Sequence, residues 1–340
     1  MTLPIRLAGG VPIYLVDQGS TAVLGLLVIG AAIVFTLRPA GPSGGVDALF
    51  IGAHAGAFLV IAMLPVVAGN AAVGFWALLV TAWLLAWLLV SRLAYLRSRH
   101  PALAAMLRLA VPILFGVWLL FLWEAIVRGA GVEQVILPPP SLIWQRIIDS
   151  LGILWQDFRQ TFLKAVIAGY AIGCAAGFLV AIVADRVPFL KRGLLPVGNL
   201  VSALPIIGIA PILVMWFGFD WQSKAAVVTV MTFFPMLVNT VAGLAAADAM
   251  ERDLMRTYAA GYGQSLLKLR LWSALPFIFN ALKINSTLAM IGAIVAEFFG
   301  TPIVGMGFRI STEVGRMNID MVWAEIAVAA LAGSAFYGVV

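Results

Sequence analysis

Residues 247–276 read ADAMERDLMRTYAAGYGQSLLKLRLWSALP, a polar, helix-forming stretch set between two long apolar runs. Asp248 followed by Glu251 has the spacing of a capping box, in which one carboxylate accepts from free first-turn amides and the other reaches back. Met250, Leu254, Met255 and Tyr258 then fall within one arc of a helix, with Arg252, Asp253, Arg256 and Thr257 on the other. Gly261 and Gly263 are expected to supply a left-handed stop. A second short helix is expected from about Ser265, and Pro276 opens the next apolar run. Turning a chain at a membrane face needs less than this, so the stretch is expected to dock against something.

Around it, composition narrows the class. Hydrophobic residues make up 63% and charged residues 11%, with a mean hydropathy of +1.06. Soluble domains carry about a quarter charged residues. Sequential apolar runs of about 20 residues are long enough to cross a bilayer as helices. The chain therefore reads as an all-α polytopic membrane protein. Its net charge of +6 speaks to orientation and to anionic lipid, not to nucleic acid. One cysteine, Cys174, and two histidines exclude an intrachain disulfide, a thiolate metal site or a histidine cluster, and no metal or cofactor is expected. The chain has no GxxxxGK[ST], HExxH, GxSxG or CxxC, hence no phosphate-cradling loop of its own and no recognisable nucleophile or metal constellation.

Three apolar runs, near Thr21–Leu37, Ala48–Ala68 and Ala72–Val90, precede a basic linker over Ser91–Arg108. Residues 1–100 are read as accessory transmembrane helices and 101–340 as the core. In the second run, Gly52 and Gly56 form a GxxxG that lets two backbones approach closely, and His54 between them is expected to bond a neighbouring helix. Six core spans are expected: Leu109–Val127, Thr161–Val183, Leu194–Phe217, Lys224–Ala246, Phe277–Phe299 and Met321–Val340. Gly169, Gly173 and Gly177 make a smooth ridge suited to tight packing. Connections on the side of residues 247–276 hold twelve Lys and Arg against six opposite, which places that stretch in the cytoplasm.

Outside, Pro138–Pro140 stiffens the chain and Ser141 is expected to cap a helix whose Trp144, Ile147, Ile148, Leu151 and Trp155 suit the headgroup layer. A docking role for a solute-binding protein fits that surface equally. Glu124, Glu297 and Glu325 lie near outer span ends, where a carboxylate is less costly than at mid-bilayer. Pairing with Arg128, Arg309 or Arg316 is the expectation, with an acidic rim at the entrance as the sharper alternative. Asn239, Thr240, Asn280, Asn285 and Ser286 could line a pathway or bond between helices. Pro205 and Pro211 suit a pore-lining helix, because freed carbonyls there need a cavity or a neighbour.

The chain resembles the permeases of binding-protein-dependent ABC importers. Their cytoplasmic loop carries a Glu-Ala-Ala triplet, then a glycine, then Ile-x-Leu-Pro. Counted back from Pro276, this pattern falls on Asp253-Leu254-Met255, Ala259 and Leu269-Arg270-Leu271-Trp272, with Ala259 in place of the glycine and Trp272 in place of a proline. ILPPPSLIWQRI (Ile136–Ile147), ALPIIGIAPILVMWFG (Ala203–Gly218), NTVAG (Asn239–Gly243) and AEFFGTPIVGMGFRI (Ala296–Ile310) follow the order seen in permeases for nitrate, sulfonates, taurine, bicarbonate and pyrimidine-type precursors.

The resemblance implies a type I importer permease core of about six helices, here with about three extra N-terminal ones, in a bacterial inner membrane. It implies a cytoplasmic ATP-binding subunit, an extracytoplasmic solute-binding protein that holds most of the selectivity, and no catalysis by this chain. Met250, Glu251, Arg252, Asp253, Leu254, Met255, Arg256, Tyr258 and Ala259 would form the ATPase-coupling surface. Pro205, Asn239, Thr240, Asn285, Ser286 and Glu297 are the pathway candidates. One chain supplies one coupling helix and two ATPases need two, so a homodimer is the simplest assembly. An ion-coupled secondary transporter would need inverted repeats or broken helices around a midplane ionisable site, and neither is visible in the sequence.

Overall fold

A computed structural model describes residues 4–8, 11–14, 25, 28–31, 33–35, 45–67, 69–96, 100–202, 205–300 and 303–340. The apolar run expected at Thr21–Leu37 and residues 97–99 of the basic linker lie largely or wholly outside them. The chain forms two compact units, Met1–Gln145 and Arg146–Val340. Among the described residues, seven helices are long and apolar enough to cross a membrane.

The first unit holds strands β1 (Pro4–Ala8) and β2 (Val11–Tyr14), helices α1 (Val46–Val67), α2 (Val73–Tyr95) and α3 (Pro101–Ala130), and the start of α4 (Pro140–Asp149). The described residues are helical as expected, with this short antiparallel hairpin as an addition that the sequence did not signal. Its alternation is too short to register in a periodicity reading, and its anchor is tertiary: Ile5 is buried among Leu59, Met63, Phe75 and Leu79. The Ile5 carbonyl accepts from Ala72 N–H at 2.9 Å, and Arg6 donates to the Val66 carbonyl at 2.8 Å.

The glycine pair on α1 works as expected. A Cβ at Gly56 would stand 2.8 Å from that of Ala82, so α1 and α2 touch nearly backbone to backbone. Among the described residues His54 bonds within its own helix, not to another: its Nδ1–H donates to the Phe50 carbonyl, one turn back, at 2.8 Å, and its ring meets Trp118 edge-on. Ser141 is not a cap either. It is a first-turn residue of α4, and Glu124 caps that helix, accepting from Ser141 N–H at 2.9 Å and Oγ–H at 2.8 Å while pairing with Arg128 at 2.5 Å. A carboxylate at a helix N-terminus is favoured by the free amides there.

The second unit holds α5 (Leu151–Arg186), α6 (Pro188–Ser202), α7 (Ile206–Phe217), α8 (Trp221–Ala245), α9 (Ala249–Thr257), α10 (Tyr262–Glu297), α11 (Met306–Gly315) and α12 (Ile319–Val339). Helix α8 lies between α5 and α10. The glycine ridge of α5 seats it: a Cβ at Gly169 would stand 2.5 Å from the Ala225 carbonyl, at Gly173 2.0 Å from Thr232 Oγ1, and at Gly177 2.4 Å from the Phe233 carbonyl. On the other side, buried Asn285 of α10 donates to the Thr232 carbonyl of α8 at 2.8 Å and to Cys174 Sγ of α5 at 3.2 Å, tying three helices with one amide. Both α5 and α10 contain a π turn, at Arg159–Val166 and Leu266–Arg270.

The third expected core span is two helices. α6 ends at Ser202, and α7 starts after Pro205, whose backbone is extended. Proline supplies no amide to continue a helix through that point. Of the five apolar side chains named on this segment, Trp144 and Ile148 on α4 and Leu151 and Trp155 at the start of α5 are exposed, and Ile147 is half-buried.

Candidate functional site

Helix α9 is built from its ends. Asp248, in extended conformation, accepts from Met250 N–H at 2.7 Å. Glu251 occupies the first turn but makes no reciprocal bond among the described residues, so half of the expected capping box forms. The stop is neither Gly261 nor Gly263. Ala259 takes the left-handed conformation, with φ of 50°. Its N–H donates to the Arg256 carbonyl and that of Ala260 to Met255, both at 2.9 Å. This is the paired C-terminal closure of a Schellman motif, which glycine usually makes. Ala259 is thus at the position where the importer pattern carries glycine.

Between these caps no residue of α9 is buried. Met250, Leu254 and Tyr258 are 80%, 56% and 78% exposed, and Met255 is half-buried. The polar side is solvated, its Asp253–Arg256 pair lying at 3.2 Å in the open, where such a pair contributes little. The helix is short, amphipathic and closed at both ends, and three of the four residues on its apolar side, Met250, Leu254 and Tyr258, stay exposed among the described residues.

The base of the loop is fixed by buried charge. Arg270, at the end of the α10 π turn, grips Asp185 of α5 with two bonds of 2.7 Å and donates through Nε to the Leu244 carbonyl of α8 at 2.9 Å. The Tyr262 hydroxyl lies 3.0 Å from Asp185 Oδ2. Arg186 sits over the Tyr262 ring at 5.4 Å.

The pathway candidates divide. Pro205 is exposed and Asn239 half-buried, its amide donating to the Pro235 carbonyl at 2.8 Å. Thr240, Asn285, Ser286 and Glu297 are buried within the unit. Asn285 bonds across helices, Ser286 donates to the Lys283 carbonyl, and the Thr240 hydroxyl has no partner among the described residues.

Glu297 belongs to a polar cluster at the end of the bundle opposite α9. Its carboxylate accepts from Thr161 Oγ1 and from Gly307 N–H, both at 2.7 Å. Thr161 accepts from Met306 N–H at 2.8 Å, and Asp157 from Gly305 N–H at 2.6 Å and Arg309 Nε at 2.8 Å. The N-terminus of α11 is therefore held by three buried oxygens. Gly305 has φ of 143°, and a Cβ there would stand 2.7 Å from the Glu297 carboxyl. Burial works against the Arg309 charge, but the hydrogen bond and charge of Asp157 outweigh it and raise its pKa. Glu297 thus caps a helix instead of meeting an arginine. Glu325 is also buried, its carboxyl set against that of Asp157. Lys224, buried nearby, donates to the Phe219 carbonyl at 2.6 Å. Asp157, Thr161 and Lys224 were not singled out from sequence. The i, i+4 spacing of Asp157 and Thr161 is the signal that could have found the first two.

Membrane-length helices packed through small residues, with an exposed amphipathic loop helix between two of them, define a polytopic helical membrane protein. The chain belongs to the family of binding-protein-dependent transport system inner membrane components, which it matches over residues 169–340. It is 33% identical over 226 residues to the formylaminopyrimidine transport permease protein ThiX of Halalkalibacterium halodurans, covering 65% of this chain and 88% of that one. It is 30% identical to the riboflavin transport system permease protein RibX of Chloroflexus aurantiacus (63% and 80% covered) and 24% identical to the taurine transport system permease protein TauC of Escherichia coli (63% and 79% covered). The protein is a multi-pass inner-membrane permease subunit of an ATP-driven importer for a small solute. It works with a separate ATP-binding component and a solute-binding component, and is not itself an enzyme.

Proposed function

We propose that α9 is the surface through which this permease docks its ATP-binding subunit, with Met250, Leu254 and Tyr258 entering a groove on that subunit and Glu251, Arg252, Asp253 and Arg256 forming a polar rim. One observation carries the reading: a helix closed at both ends leaves Met250, Leu254 and Tyr258 of its apolar side exposed among the described residues. Two ATP-binding subunits need two such helices and each chain has one, so the assembly is a homodimer. Residues 1–100 serve as an accessory membrane segment. ThiX, RibX and TauC are named for unlike solutes while sharing this permease sequence, which supports a pathway that leaves most selectivity to the binding protein.

The test is co-purification from detergent with the ATP-binding subunit. Asp253→Arg with Leu254→Asp is expected to lose the subunit while the permease keeps its thermal unfolding midpoint, because both side chains are exposed. Unchanged retention would overturn the docking assignment.

A further inference from the structure

We propose that Arg270 is a positioning residue that fastens the base of the α9 loop to α5, so that displacement of α9 by the ATP-binding subunit is delivered directly to α5. The inference rests on the docking reading of α9. Covalent connection gives α9 only two neighbours, α8 before it and α10 after it; α5 is joined to the loop only through side chains.

The joint is specific. Leu244 lies in the last turn of α8, where a carbonyl lacks its helical partner, and Arg270 Nε supplies one at 2.9 Å. The two terminal nitrogens of the same guanidinium, Nη1 and Nη2, donate to Oδ2 and Oδ1 of Asp185, both at 2.7 Å. One planar fork therefore links the end of α8, the start of α10 and the end of α5, a geometry that the point charge of lysine cannot reproduce. The side chains of Arg270 and Asp185 are only 16% and 3% exposed, unlike the solvated Asp253–Arg256 pair on α9 itself. Tyr262, the first residue of α10, adds its hydroxyl within reach of Asp185 and of the Ile182 carbonyl at 3.3 Å.

From Asp185 the path continues along α5 without a break to its other end. That end carries Asp157 and Thr161, which hold the N-terminus of α11. A push on α9 thus has a route through one side-chain joint and one helix to the far end of the bundle. A staple that merely stabilised the fold would show itself in unfolding alone.

The experiment uses the assembled importer complex in nanodiscs, with Gln156→Cys as reporter at the exposed far end of α5; Cys174 is buried. Labelling by a membrane-impermeant maleimide is timed with and without vanadate-trapped ATP. Trapping is expected to change the labelling rate at least about fivefold, the low end of ordinary site-to-site coupling. Arg270→Lys, which keeps the charge and loses the fork, and Asp185→Asn are each expected to retain the ATP-binding subunit and trap nucleotide while the response falls below about twofold. A full response in both variants overturns the proposal, as does no response in the unmodified reporter. Loss of the ATP-binding subunit or of assembly in both variants also overturns it, since the pair would then serve docking or folding. Failure of the docking reading is separate: it shows as retention of the subunit by the Asp253→Arg, Leu254→Asp protein, whatever the Arg270 variants do.

Discussion

Gly307 N–H donates to Glu297 Oε2 at 2.7 Å, so the last residue of α10 caps the first turn of the helix that follows. A glycine is needed two residues earlier for the same reason: at Gly305 the backbone passes so close to this carboxyl that a Cβ has no room.

Replacing the two buried glutamates should separate their roles. Glu297→Gln disturbs bonds from Thr161 and Gly307, and the expected loss is about 1–3 kcal/mol for disrupted buried partners. Glu325→Gln replaces a buried carboxyl that faces the carboxylate of Asp157 with an amide that can donate to it, so it should cost less than Glu297→Gln or stabilise. Thermal unfolding of the two purified variants, side by side, checks the order.

Ala259→Gly should stabilise the loop. A left-handed residue with a Cβ costs about 1–2 kcal/mol, against which glycine returns about 0.4–1 through the unfolded chain, leaving about 0.5–1. Slower amide exchange at Ala260, whose N–H closes on Met255, is the measurement. Ala259→Val should speed it, because a β-branched side chain fits that conformation badly.

The α5 ridge predicts a contrast between two glycines. Gly173→Ala places a Cβ 2.0 Å from Thr232 Oγ1 and should destabilise by about 1–3 kcal/mol through overpacking. Gly208→Ala meets nothing within 4 Å and should be neutral or stabilising. Unfolding midpoints in one detergent decide it.

Asp220 gives a pH dependence. The Gln160 amide at 2.8 Å and the Trp221 N–H at 2.7 Å hold its carboxyl below the usual range. A folded value under the unfolded one means stability that is present above the ordinary carboxylate range and lost as pH falls through the folded value, on the acid side of about pH 4. The slope should be shallow, because Asp220 is exposed. Asp220→Asn should remove its share of that acid slope in a melting-temperature series.

Much of this was legible in the sequence because the relevant signals are local. Apolar length gave the described spans other than the third core one, which is two helices, Asp248 gave the start of α9, and the arc of Met250, Leu254 and Tyr258 gave its apolar side. Glycine spacing gave the α5 ridge, although not that α8 would be the helix it seats. What escaped depended on distant partners. Arg270 looked like one more cytoplasmic charge until Asp185, 85 residues earlier in the chain, closed around it. Glu297 is 136 residues from Thr161, and no spacing rule links an acid to a hydroxyl so far away. The hairpin and the stop at Ala259 were missed for another reason: tertiary anchoring and a backbone closure overrode what residue type favours.

The shortness of α7 has a consequence for how the membrane meets this subunit. Twelve residues rise about 18 Å, well under the roughly 30 Å of a hydrocarbon core. Its first amides, uncapped by any side chain at Pro205, therefore cannot lie at one surface while Phe217 lies at the other. Lipid tails offer such donors nothing, so one terminus of α7 calls for water, solute or protein at a depth where the bilayer alone would leave it dry.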